Sequence, residues 1–229
     1  MMDKSHKDVS CETCSVKDCS LFKSFNEEDL RQLDNEKTSS YYKKNQPVFI
    51  EDTYPRGVFC ISKGKVKIFS IGENGKEQII HIARAGEVIG FRSLFSDEPY
   101  RLSGTALEEC HICFIKKEEF YKHLETKPFL LQSVLKNLSL ELGERAVFIK
   151  DMAQKTVRER LATVLLVLRD VYGEEMINLS REDMANFVGT ATETIIRLLK
   201  EFKENELIEI HVRKIEVLNP RQLQREAGN

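Results

Sequence analysis

Residues 178–210 leave a chain of this kind few folding options. Ser180, followed three positions on by Asp183, is a helix-start signal, because its hydroxyl can accept from backbone NH groups that a first helical turn leaves unpaired. Gly189 can take a positive φ that strains other residues, so a short helix is expected to end there and a longer one to begin at Ala191. In the longer helix Ile195, Leu198, Leu199 and Phe202 recur at three and four residues and predict a buried stripe. Thr192, Glu193, Ile196, Arg197 and Lys200 fall on the opposite side. That face suits a DNA major groove, where Arg can bond a guanine edge twice and Glu can accept from a cytosine amine. Leu207–Val212, a basic turn at Arg213 and Lys214, and Ile215–Leu218 then predict a β-hairpin of the winged type. The blander reading of the same pattern is an amphipathic helical hairpin with no special role.

Charge does not advertise such a partner. The 229 residues carry a formal net charge of −2, so attraction to nucleic acid has to be local. Arg181, Arg197, Lys200, Lys203, Arg213 and Lys214 can share one face, and helix amino termini such as the one at Ser180 can donate to phosphates. With 41% apolar and 31% charged residues the chain is expected to be soluble and globular, with about two domains. No apolar run approaches the roughly 20 residues that span a bilayer. The first seven residues also lack the apolar core of a secretion signal, so a cytoplasmic location without membrane contact is expected.

From Tyr41 to Ile115 the pattern changes to short apolar runs punctuated by glycines, among them Gly57, Gly64, Gly75, Gly86 and Gly104. Gly57–Ile61, Gly64–Phe69, Gln78–Ile82 and His111–Ile115 read as strands of a sandwich or barrel, with Asn74-Gly75 as a hairpin turn. Asn26 caps a short helix before this region, and Lys117–His123 is a helix after it. Pro128 opens a long helix reaching about Lys155, in which Leu131, Leu135, Leu138, Leu142, Ile149 and Met152 recur at helical spacing. A seam that long needs a partner, and pairing with its own copy in a homodimer is expected, packing against its own β region being the alternative. Arg158–Tyr172 is expected as the first helix of the last domain, burying Leu161, Val164, Leu165 and Leu168, and the residues after Pro220 as loosely ordered. The expected divisions are an N-terminal cysteine-containing segment (1–37), a β region (38–125), a dimerisation helix (126–155) and a winged helix-turn-helix (156–229).

Six cysteines in a reducing compartment do not suggest a disulfide framework. Cys11, Cys14 and Cys19 crowd within nine residues, Cys110 and Cys113 form a second group, and Cys60 stands alone in an apolar strand. Cys60 and Cys110 are expected to serve packing. The five histidines show no metal-ligand spacing, and no nucleophile motif or phosphate-binding glycine loop is present, which argues against an enzyme.

Glycine-punctuated β-roll, long helix and winged helix-turn-helix, in that order, resemble the Crp/Fnr family of bacterial transcription regulators, which includes the cyclic-AMP receptor protein and the fumarate and nitrate reduction regulator. The resemblance is carried by residues 62–68, 86–91, 155–162 and 193–199, and is closer to the oxygen-sensing branch. It implies an α+β fold: an antiparallel β-roll of the cyclic-nucleotide-binding type, a dimerisation helix and a winged helix-turn-helix. It further implies a homodimer on a palindromic operator in double-stranded DNA, with RNA polymerase as a partner. Glu193 and Arg197 match residues that reach base edges, in half-sites containing a G-A step. Ile196 departs from the serine or glycine of the family and could touch only a thymine methyl.

In cyclic-nucleotide binders of the family a glutamate and an Arg-Ser pair hold the ligand. Phe91 and Leu102 stand at two of those places here, so cyclic AMP is not expected. Arg101 is left to contact another anion or to form a surface ion pair. The oxygen-sensing branch uses three N-terminal cysteines and one on a late strand to hold a [4Fe-4S] cluster, which implies Cys11, Cys14, Cys19 and Cys113 as ligands, although the second gap is one residue shorter than in that branch. Four soft thiolates suit an iron-sulfur cluster or zinc alike, and the resemblance favours iron. A redox sensor follows from that reading. Its alternatives are another effector such as haem, nitric oxide or a metabolite, no effector at all, or an effector-binding module without DNA binding.

Overall fold

The computed structural model describes residues 10–228, the side chain of Cys19 excepted. Two compact units divide them: residues up to 70 with 82–139, and residues 71–81 with 140 onward.

Alternating side chains and glycine turns set out the strands β1 (Lys37–Tyr42), β2 (Pro47–Phe49), β3 (Gly57–Lys63), β4 (Lys65–Ile71), β5 (Glu77–Arg84), β6 (Val88–Ile89), β7 (Ser103–Ala106) and β8 (Cys110–Lys116), all in the first unit save Ile71 of β4 and Glu77–His81 of β5. They form two four-stranded sheets, ordered β1-β8-β3-β6 and β2-β7-β4-β5. β3 and β4 meet at Gly64, whose φ of 93° and close approach to the Cys110 sulfur leave no room for a side chain. Ile61, Val66, Ile68, Ala106, Cys110 and Ile112 fill the inside of the roll. On β3 and β8 the alternate residues, Val58, Cys60, Cys113 and Ile115, point to the other face.

That face is covered by helices. α1 (Glu27–Glu36) starts at Asn26, which accepts from the Asp29 amide at 2.8 Å while Asp29 returns a bond to the Asn26 amide, a reciprocal cap. α2 (Phe91–Ser96) follows β6, and α3 (Lys117–Thr126) leads into α4 (Pro128–Gln154). The Lys127 ammonium pairs with the Asp29 carboxylate, tying the cap of α1 to the start of α4. Leu33, Val58, Ile115, Phe120, Leu130 and Val134 join in one core cluster, each such burial contributing roughly 1.5–3 kcal/mol.

The expected seam of α4 is divided by this packing. Leu130 and Val134 are buried in the roll's own cluster, and Leu138 packs against it, so Leu138 is not a freely exposed interface residue. Leu131, Leu135, Leu142 and Ile149 are exposed, as are Leu140 and Val147, which helical spacing alone does not single out. Met152 is half-buried, and its methyl lies 2.6 Å from the position a Cβ on Gly189 would take, so it too has an intramolecular role.

In the second unit α5 (Val157–Tyr172) opens with a reciprocal cap between Thr156 and Glu159 and buries Leu161, Val164, Leu165 and Leu168. α6 (Arg181–Val188), α7 (Thr192–Glu204), β9 (Ile208–His211), β10 (Lys214–Val217) and α8 (Pro220–Glu226) complete it. Two expectations are corrected. The hairpin turn is Val212-Arg213 rather than Arg213-Lys214: Lys214 already pairs with His211 in the ladder, and Val212 takes a φ of 58° at the tip. The residues after Pro220 are helical, because Asn219 caps the turn and Leu223 is fully buried.

Candidate nucleic-acid interface and thiol site

The Ser180 hydroxyl accepts from the Asp183 amide at 2.9 Å and bonds its carboxylate at 2.6 Å, so its capping function is fulfilled within α6. Gly189 has a φ of 74° and lets the chain turn into α7. Ile195, Leu198, Leu199 and Phe202 anchor α7 in the core. The opposite face leaves Glu193, Ile196, Arg197 and Lys200 exposed, with Thr192 half-buried at the first turn and Ala191 as a cap without a side-chain bond. Arg197 Nη1 donates to Glu201 Oε1 at 2.5 Å, and Lys200 approaches Glu204 at 3.8 Å. Arg158 donates to the other Glu201 oxygen at 2.9 Å and to Glu226 at 2.8 Å while lying over the Phe202 ring. Arg213 and Lys214 are exposed at the hairpin.

A second site lies in the first unit. Cys11, Cys14, Cys60 and Cys113 line one cavity together with Lys37. Cys60 packs against the core cluster, as expected, and also lines this cavity: strand parity puts it on the same face as Cys113, its register partner. Cys110, three residues before Cys113, faces the opposite way and donates its thiol to the Lys65 carbonyl at 3.4 Å. The side chain of Cys19 lies outside the described residues. Ser39 Oγ and Cys113 Sγ are 3.5 Å apart.

Burial sets the electrostatics of this cavity. It pushes the Cys11 thiol up to about 12, against the opposing pull of the Lys37 ammonium, and raises Cys60 and Cys113 as well. Burial also acts against the charge of Lys37, but its bond to Asp34 at 2.5 Å and the facing thiols prevail and hold its value up. Asp34 in turn accepts the Cys11 backbone NH at 2.9 Å, which fixes the loop to α1. The donors are soft and share a cavity with a buried cation, so their chemistry fits a metal-thiolate centre. Among the described residues no three His, Cys, Asp or Glu converge into a shell able to hold a metal ion.

Residues 39–127 match the cyclic nucleotide-binding domain family, and residues 159–226 match the Crp-like helix-turn-helix domain family. The transcriptional activator protein Anr of Pseudomonas protegens is 28% identical, the match covering 98% of this chain and 95% of that protein. The fumarate and nitrate reduction regulatory protein of Vibrio cholerae is 28% identical over 96% of this chain and 91% of its own length. The chain is a DNA-binding transcription regulator of the Crp/Fnr type. Its relatives are regulators rather than enzymes. Two solved structures share the fold: FixK2 from Bradyrhizobium japonicum, with a TM-score of 0.75 at 23% identity over 82% of this chain and 96% of that one, and a CooA mutant from Carboxydothermus hydrogenoformans, with 0.74 at 22% over 91% and 95%.

In the regulator's β-roll a separate cavity is lined by Phe49, Arg92, Glu98, Tyr100, Arg101 and Leu102, among others. Arg101 borders it but spends its guanidinium on Glu98, with Nε and Nη2 at 3.1 and 2.9 Å from one carboxylate oxygen. Phe91, the first residue of α2, is buried in the core cluster. None of the regulator's helices among the described residues is long and apolar enough to cross a membrane.

Proposed function

We propose that this regulator is a cytoplasmic homodimer that reads a palindromic operator and is governed by redox state at its cysteines. The observation that carries the DNA-reading half is the free face of α7, with Glu193, Ile196 and Arg197 exposed over a fully anchored apolar stripe. Glu193 and Arg197 contact base edges of a G-A-containing half-site, and Ile196 meets a thymine methyl. Thr192, Lys200, Arg213, Lys214 and the helix start at Ser180 hold the phosphate backbone. Residues 126–155 pair two copies through Leu131, Leu135, Leu142 and Ile149, with Leu138 and Met152 at the edges of the seam. Pairing holds two α7 helices about one DNA turn apart, roughly 34 Å, and RNA polymerase is the further partner.

For the sensor, Cys11, Cys14, Cys19 and Cys113 would hold a [4Fe-4S] cluster. Bound there, the group would supply an oxygen-labile link between the N-terminal segment (1–37) and the β-roll (38–125). The chain's own residues prepare that link: Asp34 fixes the Cys11 backbone, and the Lys37 ammonium offsets thiolate charge in a half-buried cavity. Cyclic AMP is not the effector, since Phe91 and Leu102 offer its sugar and phosphate no polar partner.

Two measurements test this reading. Protein purified under strict anaerobiosis should carry iron and sulfide in equal amounts and absorb in the visible; a colourless, iron-free product sinks the cluster. Mobility shifts on G-A-containing palindromes should weaken steeply with salt and prefer the intact site over a scrambled one. Equal binding to both sinks the base-reading assignment.

A further inference from the structure

No resemblance implies Cys60 as a ligand, yet it occupies the same cavity wall as Cys113. β3 and β8 are antiparallel neighbours, and Cys60 and Cys113 stand directly opposite each other in the register. Ser39 on β1 and Val88 on β6 continue the row on either side, so the two thiols lie mid-sheet, where backbone pairing on both flanks fixes them. Side chains so opposed have Cβ atoms about 4.5–5.5 Å apart. Two sulfurs on one tetrahedral ion sit roughly 3.8 Å apart, given metal-sulfur bonds of about 2.3 Å. The strand pair therefore needs little backbone movement to share an ion. Cys11 and Cys14, with two residues between them, face this pair from the N-terminal loop, the spacing at which one turn of chain can present two thiolates to one metal.

We infer that Cys11, Cys14, Cys60 and Cys113 form a four-thiolate site for a single soft divalent ion of the zinc class, with Cys60 in the place that Cys19 takes in the cluster set. The inference rests on the reading of this cavity as a metal-thiolate centre and adds a second ligand class to it. A rigid half, Cys60 and Cys113, is given by the sheet, and a closing half, Cys11 and Cys14, by the loop that Asp34 tethers. Among the described residues the four thiols do not converge into a closed shell, so loading the ion moves the loop toward the sheet. Cys60 and Cys19 are then alternative fourth ligands beside Cys11, Cys14 and Cys113, and iron-sulfur loading and single-ion loading exclude each other. The Lys37 ammonium, at the same wall, offsets part of the double negative charge that four thiolates and one divalent cation leave.

The test uses full-length, reduced, cluster-free protein titrated with Cd²⁺ alone, read by the sulfur-to-cadmium charge-transfer band. Wild type and Cys19→Ser should both bind one ion with the same band. Cys60→Ser should lose about a quarter of the band per ion and bind at least about tenfold more weakly. Cys60→Ala, checked for fold by circular dichroism, should behave like Cys60→Ser. Closure should also slow alkylation of Cys11 and Cys14 in wild type. If Cys60→Ser and Cys60→Ala bind like wild type while Cys19→Ser loses the band, Cys60 is not a ligand, and the metal-thiolate reading of the cavity stands without it. If wild type itself gives no thiolate band, that reading falls together with the inference.

Discussion

Arg197 and Glu201 are joined along one face of α7, with Nη1 2.5 Å from Oε1, while Arg158 of α5 holds the second Glu201 oxygen at 2.9 Å. The carboxylate thus braces the proposed base-reading guanidinium from behind and anchors the helix carrying it to α5. A side chain held at one end loses less rotamer freedom when it meets a guanine edge, where two hydrogen bonds need a fixed plane. Arg197→Ala should reduce discrimination between the intact and a scrambled operator by about 1–3 kcal/mol. Lys200→Ala should weaken binding to both by similar factors and lower the salt slope by about one. Competition mobility shifts at several salt concentrations check both, and equal discrimination by Arg197→Ala and wild type removes the assignment.

Lys37 offers a test of the thiol cavity that does not need a bound group. Its side chain is only 5% exposed, bonded to Asp34, and its charge opposes the rise that burial imposes on Cys11 and Cys113. Lys37→Met should therefore raise these thiols further and slow their alkylation at a fixed mildly alkaline pH, while Lys37→Arg should restore the rate at least in part. Rates followed residue by residue by mass spectrometry decide it. Cys110, which faces the roll interior, serves as the internal control.

The fold is legible in the sequence where one local rule governs it. Gly189, the Ser180 cap and the apolar spacing of α7 need no tertiary information, and the helix-turn-helix is found where they put it. Cys60 reads as packing in the sequence because an apolar strand surrounds it. Period-two alternation puts it on the face opposite Ile61, but only the pairing of β3 with β8 shows which face meets the N-terminal loop. Leu138 and Leu142 share one helical repeat, yet the first packs against the core cluster and the second is exposed, a distinction that tertiary packing makes and helical spacing does not. The helix after Pro220 escapes a sequence reading because one buried Leu223 is too little pattern to reveal it.

Glu36 and His123 give the β-roll a defined acid response. His123 is buried and its Nε2 lies 2.6 Å from Glu36 Oε2. Burial works to raise the Glu36 carboxyl, but the hydrogen bonds from Gln32 and His123 outweigh it, and its value falls below the ordinary 4.5. A carboxylate lowered on folding contributes stability that is fully present above its unfolded value and is lost as pH falls through the folded one. Urea midpoints should accordingly drop below about pH 4.5, and Glu36→Gln should flatten that part of the profile while costing about 1–3 kcal/mol at neutral pH. An unchanged acid limb in Glu36→Gln would assign the response to other groups.

The two faces of α4 let folding be tested apart from the proposed assembly. Leu130 is fully buried in the roll's cluster, whereas Leu142 is 73% exposed. Leu135, Leu142 and Ile149 recur every seven residues, the repeat that keeps one seam facing a partner helix, and all three are exposed. Leu130→Ala should lower stability by about 2–5 kcal/mol through the cavity it leaves. Leu142 is largely exposed within one copy, so Leu142→Glu should leave the stability of an isolated protomer within about 0.5 kcal/mol of wild type. In a dimer it sets two carboxylates against an apolar seam, so sedimentation should shift from two copies to one at micromolar concentration. Palindrome affinity should then fall toward that of a single half-site, because each α7 would have to bind without a tethered neighbour. A Leu142→Glu protein that still sediments as two copies and holds the palindrome as tightly as wild type would mean that this seam is not the dimer contact.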